Sequence, residues 1–273
     1  MIEHICVSIQ DDLRRVEEAI SFHLKSDLSM LNTVTEYVTR NGGKRIRPAL
    51  FLLSARLAGV TNPEVVKAAA GFELIHTASL LHDDVVDDAA VRRSKPSAKV
   101  KWGNQVSVLV GDFLWSKGCS LFVAQRSHEL MNAIVEAIAG LTEGVLLEIS
   151  RQNDITMDED VYIKIIRGKT AALFAACGEG AGVLAGVSEP FVMALKRYGF
   201  DFGVAFQLAD DALDYVSDEA RFGKTTGTDL REGKLTFPLI AVLKHATPEE
   251  TRLIRDVLIS DHLTDAQFHD VLN

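Results

Sequence analysis

Seven aspartates stand out by their spacing. LLHDDVVDD (Leu80–Asp88) places Asp83, Asp84, Asp87 and Asp88 within six positions, directly after an apolar run. FQLADDALDY (Phe206–Tyr215) repeats the D-D-x-x-D spacing with Asp210, Asp211 and Asp214, and Gln207 stands one turn before Asp210. At about 100° per residue, the four acids of the first set share a helical arc of about 140°. Crowding alone proves little, because like charges about 5 Å apart in water repel by only about 1 kcal/mol. A single set is equally a solvated acidic face. Two sets flanked by apolar residues suggest facing carboxylate walls with cations between them. Hard carboxylate oxygens suit Mg²⁺, which keeps several waters and bridges to substrate phosphates.

Phosphate needs positive charge, and basic residues accompany both sets. Arg92 and Arg93 follow the first. GKTTGTDLREGK (Gly223–Lys234) follows the second and carries Lys224 and Lys234. RGKTA (Arg167–Ala171) supplies Lys169 and Thr170 where a helix is expected to start, a place where backbone N–H groups favour anions. NGGKRIRP (Asn41–Pro48) supplies Lys44, Arg45 and Arg47 ahead of another helix. One basic pair reads as surface solubility; four such sets beside two acidic ones read as phosphate binding. His76 lies two turns before Asp83 on almost the same face, which favours substrate contact over a core role. His82 is assigned no role. There is no G-x-S-x-G or H-E-x-x-H, and CGEGAG (Cys177–Gly182) reads as helix packing.

The elements that carry these residues are helical nearly throughout. Apolar residues recur at three- and four-residue intervals, which predicts helices over 6–27, 29–40, 46–58, 63–87, 104–126, 128–150, 158–166, 168–185, 189–217 and 234–245, with another from about 248. Thr61-Asn62-Pro63-Glu64 offers a cap with proline in the first turn. Thr156 to Glu159 and Thr247 to Glu250 read as capping boxes. Glycines near 42–43, 59, 103, 168 and 223–233 mark breaks. A segment such as Ala171–Val187, apolar on most faces, must be surrounded by other helices. The expectation is an all-α chain in which 1–273 form a single large helical bundle around a central cavity.

The 273 residues, 47% of them hydrophobic, suffice for one sizeable core. A net charge of −9 argues against a nucleic-acid partner. Cys6, Cys119 and Cys177 lack disulfide or metal spacing and read as reduced, buried thiols of a cytoplasmic protein. No signal peptide and no transmembrane segment are expected. Trp102 and Trp115 read as core or subunit interface.

Taken in order, G-G-K-R-x-R-P (Gly42–Pro48), L-L-H-D-D-x-x-D with its Arg-Arg, G-K-T (Gly168–Thr170), F-Q-x-x-D-D-x-x-D and G-K-x-x-G-T-D-L-R-E-G-K resemble the trans-isoprenyl diphosphate synthases over roughly residues 35–245. GFELIHTASLLHDDVVDD and GNQVSVLVGDFLWSKG are most similar to the long-chain polyprenyl branch. The resemblance implies the isoprenyl (terpenoid) synthase fold and a homodimer. It also implies condensation of isopentenyl diphosphate with an allylic diphosphate, such as farnesyl or geranyl diphosphate, to an all-trans product. Asp83, Asp87 and Asp210 would be ligands of three Mg²⁺ (Mn²⁺ being an alternative ion), with Asp84, Asp211 and Asp214 in support. Arg92, Lys169, Thr170, Gln207, Lys224 and Lys234 would hold the allylic diphosphate. Lys44, Arg47, His76 and Arg93 would hold isopentenyl diphosphate, and Phe206 would lie against its hydrocarbon part. Ala78 and Ser79, small where short-product relatives place aromatic rings, would leave the product channel open. Asp88 is an acid beyond the motif and is not counted as a ligand. Long-chain members continue for several helices past the point where this chain ends, so the domain is expected to lack the usual C-terminal helices. The rivals are a short-chain synthase, a class I terpene cyclase and a non-catalytic subunit of a heteromeric synthase. The basic set at Lys44, Arg47, His76 and Arg93 argues against the cyclase, and two intact aspartate sets argue against the subunit.

Overall fold

The computed structural model describes residues 7–40, 43–216, 227–260 and 264–272, and they are almost entirely helical. The helices are α1 (Gln10–His23), α2 (Ser29–Arg40), α3 (Ile46–Leu57), α4 (Pro63–Val86), α5 (Ala98–Trp102), α6 (Asn104–Val123), α7 (His128–Ser150), α8 (Glu159–Ile166), α9 (Ala172–Ala185), α10 (Glu189–Val216), α11 (Thr228–Arg231), α12 (Phe237–Leu243), α13 (Pro248–Leu258) and α14 (Asp265–Leu272). A two-residue antiparallel ladder, β1 (Val91–Arg92) with β2 (Lys95–Pro96), joins α4 to α5. The chain forms two compact units, Met1–Val135 with Phe174–Gly199, and Glu136–Leu173 with Phe200–Asn273.

In the first unit α4 is the central element. Asn62 caps it by accepting the N–H groups of Glu64 and Val65, and Pro63 takes the first turn. Its apolar residues go round the whole helix and are buried on every side, which requires neighbours on every side. Its most extensive packing is against α6. Phe72 sits between Phe51 and Phe122, with ring centroids 5.1 and 4.9 Å away. The second unit has its own core, in which Ile165 and Ile166 of α8, Leu239 and Ile240 of α12, and Ile254 and Leu258 of α13 are buried together. The expected capping box at α13 is present, Thr247 and Glu250 each bonding the other's backbone.

Several expectations are corrected. The box at Thr156 does not form; Asp158 is the cap, accepting Val161 N–H at 2.9 Å, while Thr156 bonds Asp154. Gly168 does not break the chain's helical path, because Arg167–Ala171 form a π turn that joins α8 to α9. The first helix runs only over Gln10–His23. Cys6 lies outside the described residues, and Cys119 is only half-buried. Asp88 is not on the α4 wheel. The helix ends at Val86, Asp88 has φ 51°, and Ala89 N–H reaches back to Asp84 C=O at 3.0 Å. That is a Schellman closure with aspartate in the usual glycine place, and Asp88 pairs with Lys99. Among the described residues, α6 and α7 do meet the length and composition of bilayer-spanning helices, contrary to expectation.

Candidate active site

In the first unit the C-terminal end of α4 presents three aspartates in different surroundings. Asp83 and Asp87 are half-buried, whereas Asp84 is 2% exposed. Asp84 Oδ1 accepts both Nε and a terminal nitrogen of Arg92, each at 2.7 Å. Burial pushes the Asp84 carboxyl above its ordinary pKa, and the Arg92 charge opposes that shift. The β1–β2 turn brings the arginines back to the helix. Arg93 and Ser94 have φ 51° and 61°, so both turn residues are left-handed, the geometry that suits a two-residue hairpin. Arg92 and Arg93 line a cavity with Asp84, Thr77 and Tyr37.

The other predicted basic residues of this unit converge on His76. Its imidazole is held well below the usual histidine range, first by burial and then by the charges of Arg47, Arg93, Arg45 and Arg92. At neutral pH it is uncharged, able to donate one hydrogen bond and accept another. Arg47 lies in the first turn of α3, 4.5 Å from the Phe174 ring, and its Nε has no hydrogen-bond partner among the described residues. The Gly43 backbone lies against the Arg93 guanidinium, since a Cβ there would be 3.0 Å from it. Lys44, on the same segment, is exposed. Arg45 has a different role. Its guanidinium is tied to Glu17 at 2.5 and 3.0 Å, to Glu73 at 2.5 Å and to the Thr39 carbonyl at 2.8 Å. Ala78 is fully buried, and the Ser79 hydroxyl donates to the His76 carbonyl at 2.9 Å.

In the second unit α10 presents the other set. Asp210 is exposed, Asp214 is half-buried and Asp211 is 4% exposed. Tyr162 Oη donates to Asp211 Oδ2 at 2.5 Å, and Gln207 Nε2 donates to Oδ1 at 2.7 Å. Thr170 Oγ1 donates to Gln207 Oε1 at 2.7 Å, which fixes the amide's orientation. Burial raises the Asp211 pKa, and these donors oppose the rise. Asp214 accepts the Asp229 N–H at 3.0 Å. Burial, and then the Asp214 charge, pushes the Asp229 carboxyl well above the carboxylate range. Lys169 pairs with Glu148 at 2.5 Å and Lys234 with Glu232 at 2.7 Å. Lys169, Gln207, Asp211, Asp229, Lys234 and Tyr162 all line one cavity. Phe206 stacks on Phe202 at 6.3 Å. Lys224 lies outside the described residues.

The π turn is what delivers Lys169 and Thr170. It is seated tightly on α7, where a Cβ on Gly168 would collide with the Gly140 carbonyl and one on Gly144 with the Lys169 backbone nitrogen. Only glycine permits that approach.

The two sets share a plan. In each, the second aspartate is buried and held by protein donors, while the flanking aspartates are more open. Among the described residues no three His, Cys, Asp or Glu side chains close round a metal ion by themselves. The donor chemistry still fits Mg²⁺. All the donors are hard oxygens, and Mg²⁺ takes one or two carboxylates and completes its shell with water and phosphate oxygens.

Glu73, Glu148 and Tyr162 were not singled out from the sequence. Glu73 had a signal, as a lone acid inside the apolar run of α4 needs a buried partner. Tyr162 had none, because its partner lies 49 residues away.

The chain matches the polyprenyl synthetase family over residues 28–273. It is 40% identical over 257 residues to octaprenyl diphosphate synthase of Escherichia coli (strain K12), covering 94% of this chain and 80% of that one. It is also 40% identical over 254 residues to the geranyl-diphosphate-specific all-trans-nonaprenyl-diphosphate synthase of Rhodobacter capsulatus, covering 93% and 78%. The structure of a polyprenyl synthase from Caulobacter crescentus CB15, complexed with calcium and isoprenyl diphosphate, superposes with a TM-score of 0.95 at 39% identity, covering all of this chain and 83% of that one.

Proposed function

Because the chain belongs to the polyprenyl synthetase family, we propose that it condenses isopentenyl diphosphate with an allylic diphosphate to a long-chain all-trans polyprenyl diphosphate. The fold is the all-α isoprenyl synthase fold of its structural neighbours. The observation that carries the site assignment is the shared plan of the two aspartate sets, each with a locked second acid, more open flanking acids and nearby cations.

Asp83, Asp87 and Asp210 are assigned to Mg²⁺, with Asp84, Asp211 and Asp214 in support. Bound Mg²⁺ supplies Lewis-acid stabilisation of charge on the departing diphosphate. Lys169, Thr170, Gln207, Lys234, Arg92 and, by resemblance, Lys224 bind and orient the allylic diphosphate. The charges of the lysines and Arg92 favour its leaving more than its resting state, because negative charge grows on it as the allylic C–O bond breaks. Arg47, Arg93 and Lys44 take the diphosphate of isopentenyl diphosphate, and neutral His76 adds a hydrogen bond without adding charge. The alkene attacks the allylic carbon, a C–C bond forms, and one proton leaves. The released diphosphate is the base, so the protein needs no nucleophile. Phe206 lies against the hydrocarbon of the second substrate.

The enzyme is a homodimer in this reading, supported by the exposed apolar residues of α6 and α7. Incubation with farnesyl diphosphate, isopentenyl diphosphate and Mg²⁺, followed by chromatography of the dephosphorylated products, tests the proposal. All-trans chains well beyond farnesyl length, lost when EDTA is added, are expected. Absence of any elongated product from purified protein would overturn it.

A further inference from the structure

We propose that Tyr162 is a positioning residue for the second aspartate set, acting through Asp211. The proposal rests on the functional reading above and extends it to a residue outside the motifs.

Asp211 is a buried carboxylate with both oxygens engaged, one by Tyr162 Oη at 2.5 Å and the other by Gln207 Nε2 at 2.7 Å. Two donors on two oxygens fix the plane of the carboxylate as well as its place. The Gln207 amide is itself held by Thr170 at 2.7 Å. The chain Thr170, Gln207, Asp211, Tyr162 therefore has both ends on the α8 and π-turn segment and its middle on α10. The π turn makes this possible. Eight residues of regular helix would put Thr170 about 80° round from Tyr162. The wider π turn rotates less per residue and takes up part of that offset, so both side chains reach the same pair on α10.

The two middle aspartates differ in what holds them. Asp84 is held by a charged guanidinium, which neutralises it. Asp211 is held by a phenol and an amide, both neutral. Tyr162 thus fixes Asp211 through a neutral donor and brings no positive charge of its own to the set. The ring is anchored independently of the hydroxyl, being 3% exposed and 5.9 Å from Phe237. Removing only the oxygen should spare the packing, leave one buried Asp211 oxygen without its donor, and let the carboxylate turn.

The test is Tyr162→Phe, with thermal unfolding to confirm folding. Binding of a farnesyl diphosphate analogue with a sulfur bridge, which resists ionisation, is measured by calorimetry across a Mg²⁺ titration. The Mg²⁺ concentration for half-maximal binding should rise about tenfold, and binding of isopentenyl diphosphate should not change. Tyr162→Phe is also placed on Asp211→Asn. In that background the added loss should be less than twofold, because the two residues act as one unit. An unchanged Mg²⁺ dependence in Tyr162→Phe, or a full tenfold loss that persists on Asp211→Asn, would overturn the proposal. If Tyr162→Phe does not fold, the Asp211→Asn comparison is made with Tyr162→His, which keeps a ring donor and must bind with Mg²⁺ dependence closer to wild type than Tyr162→Leu. If the wild type shows no Mg²⁺-dependent analogue binding, the functional reading fails, and that result is separate from a failure of Tyr162 alone.

Discussion

At the scale of single residues, each motif divides labour among chemically identical acids. Asp84 and Asp211 are the most buried of their sets and accept hydrogen bonds from protein donors, which fixes their orientation. Asp83 and Asp210 are more open, so on the proposed assignment their replacement removes ligands and not packing. Asp83→Ala and Asp210→Ala should fold normally and keep less than about a tenth of wild-type turnover, a barrier change of at least about 1.4 kcal/mol. Steady-state kinetics with circular dichroism as the folding check measures this, and a variant with more activity would show that its acid is not a ligand. His76 makes a second, thermodynamic prediction. Its pKa is depressed in the fold, so below the ordinary value of 6.5 the unfolded chain binds a proton that the native state refuses. Stability therefore falls as pH drops below about 6.5, by up to about 1.4 kcal/mol per pH unit, and is unaffected above it. The raised carboxyls of Asp84 and Asp211 shift stability the opposite way, so the variant comparison isolates the histidine. Between pH 7.5 and 5.5, His76→Gln should lose less thermal stability than wild type. Equal losses would mean that the imidazole is not buried among the arginines as a neutral ring.

At the scale of elements, α4 is both the centre of a core and the carrier of a motif. Ala78 and Ser79 lie one turn before Asp83 on a helix buried on every side. A hydrocarbon chain growing from the diphosphate end into the apolar interior would pass them first. The family resemblance supports that path, and packed interiors do not readily yield added volume. Ala78→Phe or Ser79→Phe should shorten the product by several isoprene units while condensation continues. Chromatography of dephosphorylated products decides it, and unchanged lengths in both active variants would place the path elsewhere. Ser79 adds a limit, because its hydroxyl bonds the His76 carbonyl and its loss can also move that ring. The long helices and the aspartate spacing were legible in the sequence because apolar periodicity over a dozen or more residues is a strong signal. The π turn was not, since Gly168 looks like a helix break until the glycines of α7 are seen to demand close approach. The hairpin at Arg93–Ser94 and the five-residue α5 were too short to carry a period. The cap at Asp158 is not separable from Thr156 in the sequence, because both residues are strong cap formers within the same three positions. Tyr162 was invisible for a different reason, as its partner is set by tertiary packing and not by spacing, and Glu73 signalled only the need for a buried partner, not that the partner is Arg45.

At the scale of the whole molecule, the exposed side of α6 calls for an occupant. Leu109 and Val123 are 67% and 60% exposed, and Val135 at the start of α7 is 57% exposed. Leu109 and Val123 are fourteen residues apart, within about 40° of each other on a helix, so they belong to one face. Both α6 and α7 are apolar enough to enter a bilayer by composition. The face of α6 argues against lipid, however, because Asp112 lies between Leu109 and Val123 with its side chain 62% exposed. An ionised acid in the middle of such a stripe is costly in hydrocarbon but acceptable at a protein interface, where water and polar partners remain. A second copy of the chain is the occupant most consistent with this face, since a two-fold interface sets the same patch against itself. Light scattering at micromolar concentration should therefore give about twice the 29.9 kDa of the chain. Leu109→Glu should shift the mass toward a single chain, because two copies of the new charge would meet near the axis beside Asp112. A wild-type mass of 29.9 kDa would remove the dimer, and an unchanged dimer in Leu109→Glu would move the interface off this face of α6.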